Sequence, residues 1–271
     1  MNINLFIIQT EIELIIASSI MRENDHLVTV GQYIDKLYLD NIVQSKNLSI
    51  IEIINTSRRN FIKNYFLLRE WFAKNKYNEI YTQSDESNIF RIIISILNTE
   101  KISLIENGEK SYINNNNKKL IKYFIGNTFD SFALKILKNR NFKVFRYGKS
   151  NIKQIIGLLD KNQHSLKHKI INKDDCIWPK DRILPNKSVV YVLPLMKYGF
   201  FKDIEKEFSE IKINAYLKFH PRESDEIKKK FSKFNSLDEK HSIESYFHNK
   251  DVIFKFMTKN SSYYYSKLYD V

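Results

Sequence analysis

The chain has 271 residues, 43% of them hydrophobic and 14% aromatic, enough apolar side chain to bury a core and too much for a chain disordered throughout. A formal charge of +13 suits an anionic partner such as nucleic acid, a membrane surface or a phosphorylated substrate, although heavy use of Ile, Asn and Lys fits the codon supply of an AT-rich genome. The single cysteine, Cys176, excludes an intrachain disulfide and a cysteine-built zinc cluster.

A nucleic-acid partner is discounted, since no helix-turn-helix, zinc-finger or RRM pattern accompanies the charge. No stretch approaches 18 consecutive apolar residues, so no bilayer-spanning helix is expected. Leu5-Phe6-Ile7-Ile8 resembles the start of a signal sequence, but no basic residue precedes it and Glu11 and Glu13 follow. The expectation is a cytoplasmic protein whose charge can hold it against the inner face of an anionic membrane.

In chain order, residues 3–9 read as a strand, and Thr10-Glu11-Ile12-Glu13 has the capping-box spacing that opens a helix with Ile12, Ile15, Ile16 and Ser19 on one face. Residues 27–30 read as a second strand stopped by Gly31, and 48–54 as a third apolar run. From 56 to 74, Phe61, Ile62, Tyr65, Phe66, Leu68 and Phe72 recur at helical spacing, a stripe that reads as core. Residues 79–82, 87–97 and 101–105 follow as strand, helix and strand, the signature of a parallel sheet. An Asn and Lys loop at 114–119, a helix, a strand at 142–146 and a helix at 152–159 complete an N-terminal lobe over 1–165.

Composition turns polar from 160 onward, and 166–187 read as a linker. The pattern then restarts over 188–271 with a strand buried on both faces at 188–195, a helix at 202–211, an alternating strand at 211–219 and a helix at 223–234. The fold class is α/β with two Rossmann-like lobes.

Three short motifs stand where strands end. Glu106-Asn107-Gly108 follows the 101–105 strand, and a carboxylate before a flexible glycine is either a general base or a solvated Asn-Gly turn. His220 closes the 211–219 strand, locked by Pro221 and flanked by Lys218 and Arg222, which suits an anionic ligand as well as a structural role. Ser261 and Ser262 follow Phe254-Lys255-Phe256 and serve either as an N-cap or as an anion site at a helix start. Cys176 reads as a spectator.

In this order the Glu-Asn-Gly, His-Pro and Ser-Ser motifs resemble the acidic-acidic-Gly, His-Pro and Ser-Ser motifs of bacterial sialyltransferases. Within that group the sequence most resembles glycosyltransferase family 52, the lipooligosaccharide sialyltransferases. Asn4-Leu5-Phe6-Ile7-Ile8-Gln9-Thr10, Ser111-Tyr112, Tyr191-Val192-Leu193-Pro194-Leu195 and Lys218-Phe219-His220-Pro221-Arg222-Glu223 carry the likeness along nearly the whole chain. Two departures stand out: Asn107 replaces the second acidic residue, and only nine residues follow Ser262 where relatives continue with a longer helix, which predicts a shortened final lobe.

The resemblance implies a GT-B fold around a central cleft and an inverting, metal-independent transfer of sialic acid from CMP-sialic acid to a terminal sugar, galactose in the first instance, of lipooligosaccharide or capsule. Glu106 would take the acceptor proton, and His220 would protonate or hydrogen-bond the departing phosphate. Lys218, Pro221, Arg222, Ser261 and Ser262 would hold the donor, with Glu244 on its ribose. No cofactor is implied, and no Asp-x-Asp or His/Cys ligand set is present in the sequence. Another cytidine-nucleotide-dependent capsule or teichoic-type transferase and a basic nucleic-acid-binding module remain as alternatives, and a homodimer stays open.

Overall fold

The computed structural model describes residues 3–53, 60–83, 96–97, 101–106, 152–158, 167–180, 182–193, 206, 214–220, 223–238, 241–249 and 251–256. The chain divides into two compact units, one of residues 1–32 and 39–177 and the other of residues 33–38 and 178–271. The division falls inside the 166–187 stretch, and a short segment of the N-terminal half, 33–38, belongs with the second unit.

The first unit is built on seven strands: β1 (Ile3–Thr10), β2 (His26–Tyr33), β3 (Ser49–Ile53), β4 (Tyr77–Thr82), β5 (Ile102–Ile105), β6 (Ile152–Gly157) and β7 (Lys167–Ile170). They lie in the order β3-β2-β1-β4-β5-β6-β7. Their ladders β2–β3, β1–β4, β4–β5, β5–β6 and β6–β7 are parallel. Leu5, Phe6, Ile7 and Ile8 are all fully buried, as a central strand covered on both faces requires. Each such side chain contributes about 1.5–3 kcal/mol when removed from water. On one face Leu5, Ile7, Val28, Val30 and Ile80 pack against Tyr65, Leu68 and Phe72 of α3 (Phe61–Phe72).

Helix α1 (Glu11–Ser18) starts where the Thr10 and Glu13 spacing places it, and it packs against β1 and β5. All eight of its residues are buried, so the single apolar face read from the sequence understates its burial. Helix α2 (Lys36–Ser45) was not anticipated; it buries Tyr38, Leu39 and Ile42 at i, i+1 and i+4, too short a stripe to stand out.

Four expectations are corrected. Gly31 does not stop β2; with φ 89° it takes a left-handed conformation that a Cβ would resist, and the strand runs on to Tyr33. The helix expected at 152–159 is corrected over its described part: Ile152, Ile155 and Ile156 mimic helical spacing, but 152–157 are strand β6, held between β5 and β7, with Ile155 and Ile156 both buried. Phe66 is not core, being 51% exposed, because Tyr65, Leu68 and Phe72 already define the inward face of α3. The 166–187 stretch contains strand β7, whose polar Lys-His-Lys-Ile sequence suits a sheet edge. The helix expected at 87–97 is described only at Ile96 and Leu97, which are helical, while the loop at 114–119 and the strand at 142–146 lie outside the described residues.

The second unit carries a four-stranded sheet of β8 (Val189–Val192), β9 (Ala215–Lys218), β10 (Asn235–Ser236) and β11 (Ile253–Phe256). The order is β10-β9-β8-β11 with every ladder parallel. Val189, Val190, Tyr191 and Val192 are all buried, so the described strand is the central part of the one expected at 188–195, whose last two residues lie outside the described residues. Helix α4 (Asp225–Lys230) is capped by Ser224, whose hydroxyl accepts the Ile227 N–H at 3.4 Å, and carries Asp225 and Glu226 in its first turn and three lysines in its last. Phe231 and Phe234 close the core against Tyr191, Leu217 and Phe219.

Candidate functional site

In a parallel sheet the ligand crevice opens at the carboxyl ends of the strands where successive connections leave in opposite directions. In the first unit that point lies between β1, whose successors β2 and β3 run one way, and β4, whose successors run the other. Gln9 and Thr10 end β1, and Thr82 and Gln83 end β4. The Gln83 amide donates to Gln9 Oε1, so the two strand ends are tied by a side-chain amide pair at the crevice.

Glu106 stands one strand further on, at the carboxyl end of β5. It is fully buried, its backbone N–H donates to Ile156 O at 2.8 Å, and its Oε2 accepts the Leu158 N–H at 2.6 Å. A short bond of this kind fixes the orientation of the carboxyl group at the β5 and β6 ends. It is therefore no solvated turn residue. Asn107 and Gly108 lie outside the described residues.

Two acids that the sequence offered only as helix-start residues complete this edge. Glu11 and Glu13 are both fully buried at the start of α1. Glu13 Oε2 accepts the N–H groups of Gln9 at 2.7 Å and Thr10 at 3.3 Å, while its Oε1 accepts the Thr10 hydroxyl at 2.8 Å. Burial pushes its carboxyl up to about 7, with the three hydrogen bonds pulling the other way. Two acids directly after an apolar strand were the available signal, but a capping box accounts for the same spacing without titration near neutrality.

In the second unit, β9 delivers Lys218, Phe219 and His220 at its carboxyl end. His220 is partly exposed and its carbonyl accepts the Glu223 N–H at 2.9 Å, ahead of α4. Lys218 is 4% exposed and its ammonium donates to Asp238 O at 2.6 Å, tying β9 to the chain beyond β10. Glu244 is buried in a 3-10 turn over Ile243–Tyr246. Pro221, Arg222, Ser261 and Ser262 lie outside the described residues. Glu106 thus belongs to the first unit, and Lys218, His220 and Glu244 belong to the second.

A charged cluster beside the Glu244 turn was invisible in the sequence. Asp35, on the 33–38 segment, has Oδ1 3.4 Å from the buried Arg182 guanidinium and Oδ2 3.2 Å from His241 Nε2. It also accepts the Tyr38 N–H at 2.9 Å, and His241 Nδ1 lies 3.4 Å from the Tyr246 hydroxyl. Residues 35, 182 and 241 are too far apart in sequence for any local pattern to join them.

Cys176 is 7% exposed, and burial pushes its thiol up to about 12, consistent with a spectator. Among the described residues there is no cluster of three or more His, Cys, Asp or Glu placed to hold a metal ion, and no helix long and apolar enough to cross a membrane.

No protein-family model matches the sequence, and no curated protein matches it. Solved structures do. An alpha/beta-galactoside alpha-2,3-sialyltransferase from Photobacterium phosphoreum is similar at 12% identity over 98% of this chain and 94% of that one, with a TM-score of 0.51. A putative UDP-N-acetylglucosamine 2-epimerase from Listeria monocytogenes is similar at 10% identity over 98% and 72% of the two chains, with a TM-score of 0.50. The S. aureus MnaA–UDP co-structure gives 11% identity over 95% and 75%, with a TM-score of 0.52. At these identities the likeness is one of fold. The chain has a GT-B-type α/β fold of two Rossmann-like units.

Proposed function

We propose that the protein is a glycosyltransferase that moves sialic acid from CMP-sialic acid to a sugar hydroxyl with inversion. The observation that carries this reading is the placement of Glu106 as a buried, oriented carboxylate at a strand's carboxyl end, beside the switch point of a unit whose fold is shared with a sialyltransferase over nearly its whole length. A base must be held so that its proton acceptor points one way, and the Leu158 N–H does this for Glu106.

In this reading Glu106 takes the proton of the acceptor hydroxyl as that oxygen attacks the anomeric carbon. The bond from that carbon to the CMP phosphate breaks, and His220 supplies a proton or hydrogen bond to the phosphate oxygen as negative charge grows there. Ser261, Ser262 and Arg222 contact the phosphate, Pro221 belongs with them to the donor site, and Glu244 meets the ribose. Lys218 acts by anchoring the β9 end through Asp238. The acceptor is a terminal galactose of lipooligosaccharide or capsule. The reaction calls for no metal, and the enzyme works at the inner face of the membrane.

A second reading is a UDP-sugar ligand, favoured by the TM-score of 0.52 to the S. aureus MnaA–UDP co-structure. A nucleotide panel separates the two. CMP should raise the unfolding temperature of the protein, UMP should not, and the double variant Ser261→Ala, Ser262→Ala should lose the CMP response while keeping any response to cytidine. A response to UMP alone removes the sialyltransferase reading.

A further inference from the structure

The first unit also has a hollow of about 550 Å³ at the edge of its sheet opposite the strand carboxyl ends. His26 opens β2, Ser49 opens β3, and Asn75 stands just ahead of β4, so the hollow lies at the amino ends of these parallel strands. Leu67, Glu70, Trp71 and Lys74 line it from α3 and the turn after it, at the i, i+3, i+4 and i+7 spacing of one helix face. This face is distinct from the Tyr65, Leu68 and Phe72 face that forms the core.

The lining has a definite chemistry. Trp71 packs on the core from one side, and its ring lies 4.8 Å from the His26 ring at a tilt of 38°, forming an aromatic wall. His26 Nδ1 is 2.8 Å from the Tyr77 hydroxyl, leaving Nε2 as the remaining polar atom of the ring. Burial holds the imidazole below its ordinary pKa against the opposing charge of Asp25, so at neutral pH it meets a ligand as a neutral group. Around the wall stand a hydroxyl at Ser49, a carboxylate at Glu70, an ammonium at Lys74 and an amide at Asn75. A phosphate would meet Glu70 as well as Lys74 and gain little, and an acyl chain would leave four polar side chains desolvated. A sugar ring matches both features, with C–H groups on one face for an indole and hydroxyls around its edge for acceptors and donors. The size falls within the range of roughly 300–1,000 Å³ typical of small-molecule sites.

We infer that this hollow is a saccharide-binding site, separate from the strand-end site, that takes one or two residues of a neutral glycan against Trp71 with Glu70 and Asn75 on its hydroxyls. It serves to hold a glycan chain on the protein independently of any transfer.

The test uses Trp178→Phe, which leaves Trp71 as the only tryptophan of a chain that has two. Titration of the full-length protein with lactose should give a saturable change in Trp71 emission. Glu70→Ala or Ser49→Ala in this background, both exposed positions, should weaken the apparent affinity about fivefold, the value of roughly one hydrogen bond. Glu106→Gln, at the opposite sheet edge, should leave the titration unchanged. The inference is overturned by no change in emission, by a non-saturating drift equal to that caused by glycerol, or by a titration that responds to Glu106→Gln and not to Glu70→Ala. Saturable emission with no sialyl transfer would remove the reaction proposed above and leave this site standing.

Discussion

Glu13 makes stability fall as pH rises through the acid and neutral range, and Glu13→Gln should abolish that fall. Its carboxyl moves from an ordinary 4.5 to about 7 in the folded protein, with burial as the dominant cause. Below about pH 4.5 it is protonated in both states and contributes no pH dependence. Between there and about pH 7 the unfolded chain releases the proton while the folded one keeps it, so stability drops by roughly 1.4 kcal/mol per pH unit, about 3 kcal/mol in all. Above about 7 the loss is complete and the profile flattens. Glutamine can replace the carboxylate locally: its oxygen accepts the Gln9 and Thr10 N–H groups, and its amide donates to the Thr10 hydroxyl. Urea unfolding of wild type and Glu13→Gln, followed by far-UV circular dichroism at ~pH 5 and ~pH 8, isolates the effect as a difference between the two proteins. The two should be nearly equal at the lower pH, with the variant more stable by about 3 kcal/mol at the higher. Parallel profiles, or a variant less stable at ~pH 8, would refute the reasoning.

Glu106→Gln should lower sialyl transfer by about two orders of magnitude or more while leaving the CMP-induced thermal shift intact, because the glutamine oxygen still accepts the Leu158 N–H and only the base is lost. Lys218→Met should lower the urea stability of the protein by roughly 1.5–3 kcal/mol, since a charge-assisted bond to the Asp238 carbonyl disappears from a buried site; a midpoint equal to wild type would mean the bond is not holding β9. Cys176 should react with Ellman's reagent only after urea is added, given a thiol pushed up to about 12, and rapid stoichiometric reaction of the native protein would contradict its burial.

The elements legible in the sequence were those whose local pattern and tertiary role agree. In β1 the apolar run Leu5-Phe6-Ile7-Ile8 and the Thr10 and Glu13 pair mark both the strand and the start of α1. The same holds for β8 and for the strand ends at Glu106 and His220. Legibility failed where one pattern serves two structures: the isoleucines of β6 fit a helix and a doubly buried strand equally well, and only the neighbouring β5 and β7 decide. Gly31 reads as a stop, yet β2 runs on to Tyr33 past this left-handed residue, although its register with β3 ends at Val30. In the site, Glu13 was visible as a cap but its titration depends on burial that only packing creates. The Asp35, Arg182 and His241 cluster depends on a crossing of the chain between units, for which a local pattern holds no sign.

The most direct measurement is mass spectrometry of lactose incubated with the purified protein and CMP-sialic acid, with UDP-N-acetylglucosamine as the competing donor. The account predicts lactose carrying one sialyl residue, formed from CMP-sialic acid alone and lost in His220→Ala, whose unfolding midpoint should match wild type. No sialylated lactose, together with turnover of UDP-N-acetylglucosamine, would contradict it.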